Sequence, residues 1–303
     1  MKIRPYKIRL FLIAAFFTRL TSQWPFVWRL RFGDRLLSLL RRSPTASYIV
    51  DLKTKAGMKM KLNISDFVDQ HLFVYGTYEP GIESLLRKYL RNGDSFVDVG
   101  ANIGYFSLFA SRIVGSGGVV HAFEPATDTY SRLVKNMAIN SFENTRSYKN
   151  ALGDECVKSE LKLSTSENTG KTSLRPLTTS RGHESVECLR LDSFNEMIDV
   201  PPKVVKIDVE GFELRVIKGM SGIFERNPMK LPIIIFEFSP EYLIENGDQP
   251  EDLLTILRNQ GYDLKVIDWD GSLRFFDSQE INGSSQVNVC ALPAKQANAS
   301  STV

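Results

Sequence analysis

The sequence predicts an α/β protein built on a largely parallel sheet with helices on both faces. Three observations carry that reading. First, the apolar run Phe96-Val97-Asp98-Val99 enters a glycine-bearing turn, Gly100-Ala101-Asn102-Ile103-Gly104, and then a helix-like stretch from Tyr105 to Ala110. A buried strand feeding a helix through such a turn is the half-unit of doubly wound sheets. Second, strand-like and helix-like stretches alternate along most of the chain, which implies parallel strands joined by crossover helices. Third, 303 residues with 43% hydrophobic and 24% charged side chains have room for one large α/β domain plus an appendage.

The elements follow in order. Residues 1–44 hold ten of the 38 basic residues and only one acid, Asp34, of 35. The arm is therefore strongly basic and the remainder acidic, which argues against a nucleic-acid-binding face on the body. Leu10 to Phe17 is an eight-residue apolar run flanked by Lys7, Arg9 and Arg19. About 20 apolar residues are needed to cross a bilayer, so this run is too short. No small-x-small cleavage site follows it. Basic amphipathic helices with Trp24, Phe26 and Trp28 near Pro25 leave two readings open: peripheral contact with an anionic membrane, or an arm packed on the body or a partner.

Tyr48–Leu52 and Met58–Leu62 alternate with period two about Ala56-Gly57, a hairpin signal. Short helices are expected over Asp66 to Tyr75 and Ile82 to Leu90. After the opening strand, Gly118–Phe123 reads as a second strand, Thr127 to Asn140 as a helix, and Arg146–Ala151 as a third, weaker strand. Residues 155–195 break the rhythm, with period-two stretches near Glu160–Leu163 and Val186–Leu191. Between them 164–182 is Ser/Thr/Gly-rich and reads as a flap. Val204–Asp208 restores the rhythm, followed by Gly211 and a helix through Lys218. Leu231–Phe238 is a strand, Pro250–Gln260 a helix, and Tyr262–Ile267 and Val287–Ala291 are strands. The division expected is a basic arm over 1–44, a main domain over 45–292 with a hairpin and helix extension, and a disordered tail over 293–303. Cys156, Cys188 and Cys290 are scattered and odd in number, with no C-x-x-C pair. That favours a reducing, cytoplasmic setting, with membrane association only if the arm provides it.

The glycine turn constrains the ligand. A dinucleotide site uses G-x-G-x-x-G so that pyrophosphate can sit on a helix N-terminus. Here Asn102 holds the middle-glycine place, and Asp98, two residues before Gly100, would repel a diphosphate. S-adenosylmethionine carries no phosphate and offers a sulfonium, an ammonium and ribose hydroxyls, all compatible with a carboxylate. Glu124 ends the second strand 20 residues after Gly104, where an acid accepts hydrogen bonds from ribose hydroxyls. Asp98, Gly100, Gly104 and Glu124 together point to an adenosine-bearing ligand. His121, inside an apolar strand, is expected to be a core histidine.

Asp208 ends the fourth parallel strand, and Lys206 points to the same face. A hydroxyl acceptor is a poor nucleophile until its proton is removed or its oxygen is bound to a metal. Asp208, Glu210 and Glu237 are therefore candidates for a base, for hydrogen-bond partners of the acceptor, or for oxygen ligands of Mg2+. The competing reading makes Asp208 an electrostatic partner of the sulfonium and Glu210 a helix-terminal charge. No metal-ligand spacing of histidines or cysteines appears, and a metal is not expected.

Asp98-Val99-Gly100-Ala101-Asn102-Ile103-Gly104-Tyr105, Glu124-Pro125, Ala151-Leu152-Gly153-Asp154, Leu191-Asp192 and Lys206-Ile207-Asp208-Val209-Glu210-Gly211-Phe212-Glu213 stand in the order found in the FkbM family of S-adenosylmethionine-dependent methyltransferases. The chain resembles that family over residues 47 to 292, counting Gly76-Thr77-Tyr78-Glu79 and the final strand. The resemblance implies a Rossmann-like class I methyltransferase: a mostly parallel seven-stranded sheet with a reversed last strand, usually O-methylating small molecules or glycans. By position it places Asp98 and Gly100 at the methionine end of the cofactor, with Asn102 near its polar groups and Gly104 closing the loop. It places Glu124 on the ribose, and Asn150 and Ala151 near adenine. Tyr78 and Glu79 would close over the cofactor. Two rivals remain: an NAD-linked oxidoreductase on a similar sheet, and a membrane-associated binding protein without turnover.

Overall fold

The computed structural model describes residues 49–63, 66–164, 174, 180–194, 197, 201–277 and 286–294. The basic arm, most of the 164–182 flap and the tail beyond Ala294 lie outside the described residues. The described residues divide into two compact units, the first ending at Tyr78 and the second beginning at Glu79.

In the first unit, β1 (Ile49–Lys53) and β2 (Lys59–Asn63) form the expected antiparallel hairpin. Its inward residues, Met58, Met60 and Leu62, are fully buried. α1 (Phe67–Tyr75) starts where Asp66 accepts a hydrogen bond from the Val68 backbone N–H and ends at Gly76, which supplies the left-handed C-cap.

The second unit begins with α2 (Pro80–Tyr89), β3 (Ser95–Val99), α3 (Tyr105–Val114), β4 (Val119–Phe123), α4 (Thr127–Ala138) and β5 (Thr145–Tyr148). Next come β6 (Ala151–Leu152), β7 (Val157–Ser164) and β8 (Ser180–Leu189). The chain then runs through β9 (Val204–Ile207), α5 (Glu213–Lys218), α6 (Ser221–Arg226), β10 (Ile233–Phe238), α7 (Pro240–Glu245) and α8 (Pro250–Asn259). It closes with β11 (Tyr262–Ile267), β12 (Leu273–Phe275) and β13 (Val287–Pro293).

The large sheet has the order β12-β11-β13-β10-β9-β3-β4-β5. Strands β5, β4, β3, β9 and β10 run parallel, and β13 is antiparallel to both neighbours, β10 and β11. This is the Rossmann-like arrangement with a reversed last strand. It has eight strands rather than seven because the short edge strand β12 folds back on β11 through the turn at Trp269-Asp270-Gly271-Ser272. The central strands are buried on both faces: all of β9 and all but Glu237 of β10 are covered, as expected of Val/Ile-rich parallel strands. Among the described residues no helix is long and apolar enough to cross a membrane.

The region that breaks the alternation forms a second sheet, β6-β8-β7. The expected single strand over Arg146–Ala151 is split. Thr145–Tyr148 stays in the large sheet, whereas Ala151 and Leu152 pair with Cys188 and Leu189. The cause is local: exposed Lys149 and half-buried Asn150 separate Tyr148, which packs against the large core, from Ala151, which is buried in the core of the small sheet. The small sheet has its own cluster of Ala151, Leu161, Val186 and Cys188, joined by Ala126. The last strand, β13, runs through Pro293.

Candidate active site

The C-terminal ends of β3, β4, β9 and β10 gather most of the residues singled out by sequence. Gly100 turns the chain out of β3 with φ +77°, in the left-handed region. A Cβ there would lie 1.9 Å from the backbone oxygen of Asp208. The β3 turn and the β9 end are thus in backbone contact, a closeness that glycine alone permits. Asn102 is also left-handed, at φ +50°, a conformation its short polar side chain tolerates. Its backbone N–H donates to Glu124 Oε2 at 2.9 Å, while Glu124 Oε1 accepts from the Ala126 N–H at 3.0 Å. Glu124 therefore ties its own loop to the glycine turn. Burial pushes its carboxyl up to about 7, against the pull of those two hydrogen bonds.

Lys206 is the charge at the centre. Its side chain is 4% exposed, its ammonium donates to Asp208 Oδ2 at 2.9 Å, and it stands 4.0 Å from Asp98 Oδ1 and over the ring of Phe106. Burial would lower its pKa, but attraction to Asp208, Asp98 and Glu79 outweighs that and raises it. Asp98 is raised by burial, opposed by Lys206 and by the Ser107 hydroxyl, which donates to Asp98 Oδ2 at 2.6 Å. Glu79 is raised by burial and by Asp208, opposed by Lys206 and by the Asn288 amide, which donates to Glu79 Oε1 at 3.0 Å. Glu79 itself is held left-handed at φ +44°, which is uncommon for a non-glycine residue and carries local strain.

Glu237 lies one residue beyond the Phe236–Ile207 pairing, beside the end of β9. Burial, then Asp208, Glu210, Glu213 and Glu79, push its carboxyl up to about 9. Glu210 stands in the loop after β9 with φ +54°. That loop is held by Glu213, which is buried and accepts from the N–H groups of Val209 at 3.2 Å and Gly211 at 3.0 Å. Burial places Glu213 at about 7.

Asn150 and Ala151 are not at the end of the third strand. Asn150 donates to Glu187 Oε2 at 3.2 Å on the exposed side of the small sheet, and Ala151 is in that sheet's core. His121 is buried and within hydrogen-bond reach of the Tyr148 hydroxyl, at 3.0 Å. Among the described residues no three His, Cys, Asp or Glu side chains converge as a metal site. Sequence reasoning passed over Ser107, Asn288 and Glu213 as site residues. Ser107 carries a signal, since it lies nine residues after Asp98 in the first turn of α3; Asn288 has none, because its partner is 209 residues away.

A sheet with this order and a glycine turn at its first central strand, with acids at the neighbouring strand ends, defines an S-adenosylmethionine-dependent methyltransferase. The family profile described as Methyltransferase FkbM domain matches residues 98–264, more than half of the chain. The chain belongs to that family. It is 29% identical over 189 residues to the hexuronic acid methyltransferase AglP of Haloferax volcanii, covering 59% of this chain and 67% of the relative. It is 30% identical over 149 residues to Methyltransferase 1 of Beauveria bassiana, covering 42% of this chain and 59% of that protein. Among solved structures, the TYW2 protein of M. jannaschii in complex with AdoMet is 15% identical with a TM-score of 0.41, over 82% of this chain and 87% of that one.

Proposed function

We propose that the protein transfers the methyl group of S-adenosylmethionine to a hydroxyl of a sugar, with a uronic acid or a glycan containing one as the acceptor class. The observation that carries the donor half is the set of buried acceptors without a hydrogen-bond partner: Asp98 Oδ1, Asn102 Oδ1 and Glu79 Oε2. Buried acceptors are normally satisfied, so two of them at the glycine turn and a third facing Lys206 fit a ligand that brings donors and positive charge. An ammonium and ribose hydroxyls do so; a diphosphate would meet Asp98 and Glu79 as like charges. The acceptor half rests on the hexuronic acid methyltransferase relative.

When bound, S-adenosylmethionine supplies an electrophilic methyl carbon on a sulfonium. In this reading Glu124 holds the ribose, Gly100 and Gly104 shape the turn by packing against Asp208 and Leu133, and Asp98, Asn102 and Glu79 receive the methionine end. Asp208, whose side chain is 34% exposed, faces the acceptor. Its carboxylate would take the proton of the acceptor hydroxyl and so make that oxygen a better nucleophile. Lys206 holds Asp208 in place, and Glu210 and Glu237 line the acceptor side. Positioning of the two reactants and neutralisation by the carboxylate cluster lower the barrier. Neither the charge pattern nor the described geometry favours an NAD-linked reaction, because the pyrophosphate has no place on this turn.

Two measurements test the reading. Adenosylhomocysteine should bind the wild type in calorimetry, and Glu124→Ala should weaken it by about 10- to 100-fold, the loss expected for removing a charged hydrogen-bond acceptor. Unchanged affinity would remove Glu124 from the site. Labelled methyl should pass from S-adenosylmethionine into uronic-acid-containing saccharides, and labelling of neutral sugars alone would redirect the acceptor class.

A further inference from the structure

The inserted small sheet is tied to the cofactor loop by a contact that the reaction itself does not require. Glu184, on β8 opposite Leu161, reaches the start of α4. Its Oε2 accepts from the Thr127 backbone N–H at 2.9 Å and from the Thr127 hydroxyl at 2.6 Å. The residue at the head of α4, Ala126, has no side-chain oxygen to cap the free N–H groups of the first turn. Glu184 supplies that cap from 57 residues away. Two carboxylates therefore divide the loop between them: Glu124 takes the Asn102 and Ala126 N–H groups, and Glu184 takes Thr127. A second, apolar anchor acts at the same place, since Ala126 is packed with Leu161, Val186 and Cys188 of the small sheet.

We propose that Glu184 is a positioning residue for the methyl-donor site, fixing the 124–127 loop so that Glu124 is presented to the ribose, and that the inserted hairpin is thereby a working part of that site. This rests on the assignment of Glu124 to the donor. Both Glu124 oxygens are already engaged by backbone N–H groups, so its direction follows the loop rather than its own rotamer. The loop in turn is held at one end by β4 and at the other by Glu184. Releasing Thr127 frees the helix start to fray, and the donor must then reorder it on binding.

The test is calorimetric binding of adenosylhomocysteine to wild type, Glu184→Ala, Glu184→Gln, Thr127→Val, the Glu184→Ala/Thr127→Val double variant, and Glu124→Ala. Glu184→Ala is expected to weaken binding about three- to tenfold, the effect of one lost charge-assisted hydrogen-bond pair. Gln offers an amide oxygen to the same two donors and should restore most of the affinity. The double variant should be no weaker than Glu184→Ala, because the two residues act as one unit. Binding by Glu184→Ala within twofold of wild type, while Glu124→Ala is weakened, overturns this proposal and leaves the donor reading intact. Gln as weak as Ala also overturns it, because charge rather than position would then be responsible. A wild type that binds no adenosylhomocysteine overturns both. A thermal melt of each variant separates loss of fold from loss of position: an affinity defect recovered by Gln at unchanged melting temperature is positional.

Discussion

Lys206→Met is expected to destabilise the protein by about 3–5 kcal/mol, the cost of removing one member of a buried charge network and leaving the others uncompensated. The methionine fills similar volume, so the loss is electrostatic rather than a cavity. Lys206 is the cation that faces Asp98, Asp208 and Glu79. Without it the three acids face one another in a site where burial already raises Asp98 and Glu79. They would respond by holding protons to higher pH. The defect should therefore grow as pH rises from about 5 to 8, when the folded state must ionise acids that the unfolded chain ionises freely. Urea denaturation of both proteins at several pH values reads this directly. A change below about 1 kcal/mol that is flat with pH would mean that solvent, not Lys206, balances these carboxylates.

This central arrangement was only partly legible in the sequence. The alternation of buried strands and helices was readable because parallel strands are apolar on both faces and helices carry a stripe; Tyr262–Ile267 is a strand over the very residues that its pattern marks. The strand order and the reversed β13 were not readable from pattern. The reversed last strand came from the ordered motifs that resemble the FkbM family, and the order itself is seen only in the fold. Lys206 and Asp208 could be placed on one face of their strand by its period, whereas the juxtaposition of Asp98 with Lys206 follows from the β3–β9 register, which no sequence pattern announces.

The readings that went astray have physical reasons. Arg146–Ala151 looks like one strand because local propensity does not report that Ala151 pairs with Cys188 in another sheet. Pattern alone therefore sets Asn150 and Ala151 at a strand end that is in fact Tyr148. The cap that Glu184 gives to Thr127 and the bond from Asn288 to Glu79 are tertiary contacts between residues far apart in the chain, with no periodicity to announce them. Glu213 was visible only as part of a motif. Its burial and its hold on the left-handed turn at Glu210 and Gly211 depend on how α5 docks.

The acids of the site also predict an inverted pH response. Glu124 and Glu213 are pushed up to about 7 and Glu237 to about 9, from an ordinary value of 4.5. Below 4.5 both folded and unfolded chains are protonated at these positions, and nothing is lost. As pH rises past 4.5 the unfolded chain ionises while the folded one keeps its protons. The folded state then binds more protons, so stability contributed by these groups falls with pH, by up to about 1.4 kcal/mol per unit for each group in its window. For Glu124 and Glu213 the window closes near 7, and for Glu237 it extends to about 9. A ligand that brings positive charge reverses the trend, because it favours the ionised carboxylates and expels their protons. S-adenosylmethionine, with a sulfonium as well as an ammonium, should therefore bind more tightly at pH 8 than at pH 6 and release protons. Adenosylhomocysteine, with a neutral thioether, should show a shallower slope. Calorimetry in buffers of different ionisation enthalpy counts the protons. Equal pH slopes for the two ligands would mean that the carboxylates do not sense the sulfonium, and that charge in this site serves the acceptor instead.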